Sequence, residues 1–160
     1  PAYDLLVEIF EDFYRQRRSR EKLNIAPSTL SEIKSMARVM AVITGRTRED
    51  MDFTFRKYSL YQFFDYIFTE DDLPSVECRK PSPYTLQKLF KKSGPCFPAC
   101  YIGDTLSDSQ MVSSFNRQEN QRVQFILFMN SLNAGVQADF YVRDEVGLMQ
   151  VLKKLKEDFI

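Results

Sequence analysis

Tyr101–Asp108 reads YIGDTLSD. The apolar run Ala99, Cys100, Tyr101, Ile102 stops at Gly103, Asp104 follows at once, and Asp108 comes four residues later. An apolar run cut off by Gly-Asp reads as a buried strand ending at a sheet's carboxyl edge, where open α/β sheets place their ligands. A helix starting near Thr105 or Ser107 would set Asp104 and Asp108 about one turn apart, facing one point. Two converging carboxylates are hard oxygen ligands of the kind Mg²⁺ takes, with water or substrate phosphate in its other positions. The same residues also suit a plain strand–turn–helix with aspartate as the N-cap, so the rest of the chain has to decide.

The chain's 160 residues predict one domain, or one domain with a small appendage. Lys+Arg and Asp+Glu are both 22, so the formal net charge is zero, which argues against a dedicated nucleic-acid binder. No apolar run approaches the roughly 18 residues of a membrane span, so no membrane partner is expected either, and no signal peptide is visible. Pro1 in place of Met leads us to expect processing or truncation upstream. Cys78, Cys96 and Cys100 are an odd, sparse set that fits reduced thiols and a cytoplasmic setting. There is no histidine, which removes Ser-His and Cys-His nucleophile systems and most catalytic zinc sites.

Around that stretch, strand and helix patterns alternate. Residues 2–18 carry Tyr3, Leu6, Phe10 and Phe13 at helical spacing, with Leu5, Ile9 and Tyr14 alongside, predicting an amphipathic helix with a broad apolar face. Ser28 is the expected cap of a helix over Thr29–Ala37. Val39–Ile43 (VMAVI) is a continuous apolar run, the pattern of a parallel strand buried on both faces. A helix is expected over Arg48–Lys57, a strand over Asp65–Thr69, a Pro-rich loop over Leu73–Pro83 and a helix over Tyr84–Lys92. A helix from the Asp108 region to about Phe115, strands over Val123–Met129 and Asp139–Val142, and a last helix from Asp144 or Glu145 follow. That helix counts Val146 among its apolar positions. The alternation predicts an α/β fold: a three-layer, Rossmann-like parallel sheet with helices on both faces.

Polar groups fall at the strand and loop ends: Thr44-Gly45-Arg46 after VMAVI, Lys80 in the Arg-Lys-Pro loop, and Asp104 with Asp108. In a parallel sheet the carboxyl ends share one edge. A hydroxyl with backbone N–H donors, a lysine and a carboxylate pair holding Mg²⁺ are what a phosphoryl group needs, because its transfer is chiefly a matter of positioning and charge stabilisation. Each residue alone has a plainer role, Thr44 in a turn and Lys80 on the surface.

The order VMAVITGR, RKPSPYTLQKL, YIGDTLSD resembles the second, third and fourth motifs of the haloacid dehalogenase-like hydrolases, in the phosphatase branch with a small helical cap. The resemblance implies that residues 1–27 are a cap remnant and linker, and 28–160 an α/β core lacking its first strand. By that resemblance Thr44, Gly45 and Arg46 would bind substrate phosphate. Lys80 would hold the phosphate and the attacking carboxylate together, and Asp104 and Asp108 would form the Mg²⁺ site. The family's first motif, Asp-x-Asp-x-Thr/Val after an apolar strand, does not precede Val39. Asp50-Met51-Asp52-Phe53-Thr54 matches it literally, but follows Arg48-Glu49, and a helix would set the two acids about 200° apart.

The expected function is Mg²⁺-dependent hydrolysis of a small phosphorylated metabolite through an aspartyl-phosphate, or a fragment of such an enzyme, with an N-terminal segment or partner chain completing the sheet. The alternative is a non-catalytic binding or regulatory domain on the same scaffold. A metal-independent dehalogenase relative is disfavoured by the Asp104/Asp108 pair.

Overall fold

The computed structural model describes residues 2–158. Pro1 and Ile160, the outer ends of the two expected units, and the side chain of Tyr3 lie outside the described residues. Five strands are present: β1 (Ala41–Ile43), β2 (Tyr66–Phe68), β3 (Ala99–Gly103), β4 (Val123–Phe128) and β5 (Phe140–Val142). Six α-helices accompany them: α1 (Ala2–Arg17), α2 (Pro27–Met36), α3 (Arg48–Lys57), α4 (Tyr84–Ser93), α5 (Leu106–Glu119) and α6 (Glu145–Glu157). Every strand pairing is parallel.

Strand β4 shows why helices cover both faces. Its Val123, Phe125 and Leu127 pack with Leu86 of α4 and Met111, Val112 and Phe115 of α5. The alternate Ile126 packs with Ile33 of α2 and with Leu148, Met149 and Leu155 of α6. Successive strand side chains point to opposite faces, so this strand, apolar at every position but Gln124, needs a helical layer on each side. A third cluster, Leu30, Met51, Phe55, Leu60 and Phe63, covers Met40, Val42 and Ile67 at β1 and β2. The architecture is therefore the three-layer, Rossmann-like α/β fold.

The sheet is split. Strands β1 and β2 form one parallel pair, and β3–β4–β5 form a separate three-stranded sheet. No ladder joins β1 to β3 among the described residues. The Tyr101 hydroxyl crosses between them and lies 3.4 Å from the Ile43 carbonyl.

Several elements differ from expectation. Strand β1 begins at Ala41 rather than Val39, because Asp65 removes Met40 from the ladder: its carboxylate accepts the Met40 N–H at 2.8 Å, and its own N–H donates to the Met40 carbonyl at 2.8 Å. Strand β1 is only half-buried, since its far edge has no ladder partner among the described residues. Helix α2 starts at Pro27 with Ala26 as N-cap instead of Ser28. The missing cap is replaced by Glu145, whose carboxylate accepts from Ala26 N–H at 2.8 Å and Thr29 Oγ1 at 2.9 Å. Helix α5 runs on to Glu119 and stops at Asn120 in the left-handed region, φ 48°. Val146 of α6 faces solvent. The apolar face of α1, including Leu6, Ile9, Phe10 and Phe13, is exposed.

Candidate active site

Asp108 is the centre of the carboxyl edge and is 3% exposed. It occupies the third position of α5, where Thr105 and Asp108 form a capping box. Its Oδ2 accepts from Thr105 Oγ1 at 2.6 Å, Thr105 N–H at 3.1 Å and Asp104 N–H at 3.3 Å. Its Oδ1 accepts from Lys80 Nζ at 2.7 Å and from the Tyr101 hydroxyl at 3.0 Å. Burial alone would raise the Asp108 pKa, but the charge and hydrogen bond of Lys80, with the Thr105 and Tyr101 hydrogen bonds, outweigh it and hold the carboxyl below the ordinary aspartate range. Burial, and then the neighbouring Asp108 charge, push the Tyr101 phenol far up, so it stays protonated.

This packing depends on Gly103. A Cβ at that position would lie 2.8 Å from Asp108 Cβ, Cγ and Oδ2, closer than unbonded atoms approach. Asp104, by contrast, is exposed, and its carboxylate makes no hydrogen bond or ion pair within the described residues. Its backbone is fixed from the next strand: the buried Asn133 donates through Nδ2 to the Asp104 and Phe128 carbonyls, both at 2.9 Å. Asn133 thus ties the ends of β3 and β4 together.

Beside Asp108 lies a cavity of about 230 Å³ whose lining includes Thr44, Gly45, Glu70, Arg79, Lys80 and Ser107. Thr44 follows β1 and extends its ladder, donating its N–H to the Phe68 carbonyl at 2.9 Å. Thr44 Oγ1 accepts the Arg46 N–H at 3.2 Å. The fold thus brings Thr44, Gly45 and Lys80 to one cavity, as the spacing of the motifs predicts.

Arg46 is directed elsewhere. Its guanidinium grips Glu21 through two nitrogens, at 2.8 and 2.9 Å, and donates to Tyr14 Oη at 2.7 Å. Glu21 also accepts from Tyr14 at 3.0 Å and Thr54 Oγ1 at 3.0 Å. Burial opposes ionisation of Glu21, yet the hydrogen bonds from Arg46, Thr54 and Tyr14 prevail and lower its pKa. Burial and the Glu21 hydrogen bond raise that of Tyr14 to about 12. Arg46 therefore anchors the end of α1 and the following linker to the loop after β1. Asp50 and Asp52 sit on α3, where Asp50 pairs with Arg18 at 3.1 Å and Asp52 accepts from the Tyr61 hydroxyl.

Among the described residues no group of three or more His, Cys, Asp or Glu side chains could hold a metal ion. Mg²⁺ needs fewer, commonly one or two carboxylates plus water and substrate phosphate. Asp104, unpaired and exposed, fits as a direct ligand. Asp108, with both oxygens engaged, fits as the group that orients the Asp104 loop and Lys80. No helix among the described residues is long and apolar enough to cross a membrane.

The sequence profile of the haloacid dehalogenase-like hydrolases matches residues 4–119. The chain belongs to this family. Solved structures of the haloacid dehalogenase superfamily share its fold. A protein from Lactobacillus plantarum assigned as a phosphoglycolate phosphatase superposes with a TM-score of 0.76 at 20% identity, covering 93% of this chain and 70% of its own. A Thermotoga maritima protein assigned as a β-phosphoglucomutase gives 0.73 at 17% identity, covering 97% and 71%. The hydrolase YfnB from Bacillus subtilis, solved bound to magnesium, gives 0.59 at 17% identity, covering 79% and 52%. The chain thus spans between about half and seven-tenths of the length of these haloacid dehalogenase-like proteins. No curated protein matches it in sequence at a significant level.

Tyr101, Gly103, Asn133 and Glu21 are the site's supports that motif reading passes over. Gly103 carries a visible signal, a glycine directly before the acidic turn. For Asn133 and Glu21 nothing local distinguishes them, because their partners lie far away in sequence.

Proposed function

We propose that this chain is the phosphate- and metal-binding part of a Mg²⁺-dependent phosphohydrolase that acts on a small phosphorylated metabolite through an aspartyl-phosphate. The observation that carries the reading is the Lys80–Asp108 pair, 2.7 Å apart, beside the cavity edged by Thr44 and Gly45. Thr44 would offer its hydroxyl, and Gly45 its exposed N–H, to the phosphate oxygens. Lys80, held in place by Asp108, would neutralise the phosphate charge and draw the attacking carboxylate toward it. Asp104 would hold Mg²⁺, which supplies charge neutralisation on the phosphoryl oxygens. Arg46 has a positioning role, since its donors are taken up by Glu21 and Tyr14.

The attacking carboxylate is not among these residues. The absence of a ladder between β1 and β3 among the described residues supports its source: an additional parallel strand, from a segment outside this sequence or from a partner chain, would pair with β1 and β3. Its carboxyl end would then fall between Thr44 and Asp104, facing Lys80. Residues 2–27 would be the end of a helical cap, with the uncovered face of α1 meeting the rest of it. The three cysteines are unpaired, which supports a cytoplasmic setting.

A second reading, a non-catalytic binding domain, is favoured because no carboxylate other than Asp108 meets Lys80 among the described residues. Phosphate release from a small phosphoester by the chain supplied with its missing strand separates the two. Mg²⁺-dependent release abolished by Asp104→Asn is expected; phosphate binding without any release would leave the binding domain standing.

A further inference from the structure

Tyr101 reaches from β3 toward the end of β1, and the phosphate reading gives its hydroxyl no task. Its ring packs against the cluster shared by α4, α5 and β4 and lies 6.3 Å from the Phe125 ring, so the hydroxyl is delivered to a fixed place. A phenol is protonated at neutral pH and has one proton to give. Two acceptors stand within reach, Asp108 Oδ1 at 3.0 Å and the Ile43 carbonyl at 3.4 Å. Asp108 is both the nearer and the charged one, and a charged acceptor makes the stronger bond.

The two oxygens of Asp108 are served differently. Oδ2 accepts from three neutral donors, all on Asp104 and Thr105. Oδ1 accepts from Lys80 and Tyr101 alone among the described residues. Lys80 also lines the cavity, so it is the cation that a bound phosphate must share. Tyr101 is the one neutral donor on the oxygen from which that charge is drawn.

Resting on the phosphate-site reading above, we infer that Tyr101 is a positioning residue: by holding Asp108 Oδ1, its hydroxyl lets Lys80 turn its charge to the phosphate. A buried carboxylate short of donors is costly, and Asp108 is 3% exposed. With the Tyr101 proton in place, Asp108 stays hydrogen-bonded at both oxygens while Lys80 leans toward a second anion. Without it, Lys80 is the only donor to Oδ1, and a gain at the phosphate becomes a loss at Asp108. Tyr101 is not among the residues that line the cavity, so it acts through Asp108 and Lys80. No bond is made or broken.

The test is calorimetric titration of the 160-residue chain with inorganic phosphate at pH 7 and fixed free Mg²⁺, for the wild type, Tyr101→Phe, Asp108→Asn and the double variant. Tyr101→Phe keeps the ring and removes only the hydroxyl. It should weaken phosphate binding about tenfold, the size of one hydrogen bond to a charged group. In the Asp108→Asn background the same substitution should change affinity by less than about twofold, because no buried charge is left for the hydroxyl to hold. A role confined to packing, or to the Ile43 carbonyl, would weaken phosphate equally in both backgrounds and would overturn this inference. So would a Tyr101→Phe chain that binds phosphate as tightly as the wild type. Circular dichroism checks that each variant folds, and a second readout needs no change at Asp108. In the wild type, saturating phosphate should shift the NMR resonance of the Lys80 ammonium as it leans away from Asp108; in Tyr101→Phe that resonance should stay near its phosphate-free position. Equal shifts in the two proteins would overturn the inference and leave the phosphate site intact. Failure of the wild type to bind phosphate would overturn the site itself, and this inference with it.

Discussion

Replacing Lys80 by Gln removes the cation from a carboxylate that is 3% exposed. Breaking a buried ion pair from one side costs about 3–5 kcal/mol, because the remaining charge is left uncompensated. Two features reduce that figure here. The Lys80 side chain is 21% exposed, and Asp108 keeps its hydrogen bonds from Tyr101 and Thr105. The expected loss at pH 7 is about 2–3 kcal/mol, or about 4–12 °C in Tm for a chain of this size. The effect depends on pH with a definite sign. The folded Asp108 pKa is lowered, first against its burial and then by Lys80. Its stabilisation is therefore fully present above the ordinary aspartate range and is lost as pH falls through the lowered value. In Lys80→Gln the main cause of that lowering is gone, so the difference between the two proteins should shrink as pH falls below the ordinary aspartate range. Urea unfolding followed by circular dichroism from neutral to acid pH follows that trend, with the m-value checking that the unfolded state is unchanged. A loss that persists undiminished in acid would show that Lys80 acts through packing. A loss below about 0.5 kcal/mol at pH 7 would show that the pair behaves as a solvated surface bridge.

Two further perturbations probe the supports of the site. Gly103→Ala places a Cβ 2.8 Å from three Asp108 atoms and should cost about 1–3 kcal/mol by overpacking; an unchanged urea midpoint would mean that Asp108 is not held where its hydrogen bonds require. Arg46→Ala removes the partner of Glu21 and Tyr14 and should cost less than about 1 kcal/mol, because the ion pair is partly exposed. It should nonetheless speed amide exchange across residues 14–24, and unchanged exchange there would show that the linker is held without Arg46.

The fold was legible wherever a pattern was long or uninterrupted. Five of the six residues of β4 are apolar, Gln124 being the exception; such a run announces a strand covered on both faces, and both faces are covered by helices. Helix α3 keeps its expected bounds because Thr47 caps it locally, its side chain accepting from Asp50 N–H. Local signals failed where a distant residue took over a local task. Glu145 serves the start of α2 in place of Ser28. Asn116, just past the expected end of that helix near Phe115, pairs both polar groups of its amide with the Val123 backbone at 2.8 Å, and α5 continues past it to Glu119. The described strands divide into two parallel sheets, β1–β2 and β3–β4–β5.

At the site, strand-end placement put Thr44 and Lys80 on one sheet edge, and the resemblance to the haloacid dehalogenase-like hydrolases added Gly45; all three line one cavity. The unequal roles of the two aspartates were not legible in this way. Sequence shows two acids one turn apart; only the packing of Gly103, Tyr101 and Lys80 around Asp108 leaves Asp104 as the exposed carboxylate. Arg46 followed the motif order but not the geometry, because Glu21, 25 residues earlier, takes its guanidinium.

The most direct measurement is phosphate release from a small phosphoester by the chain supplied with the strand proposed to pair with β1 and β3, with and without Mg²⁺, for the wild type and Asp104→Asn. The account predicts release that requires Mg²⁺ and falls to background in the variant. Release that continues without Mg²⁺, or survives Asp104→Asn, would contradict it.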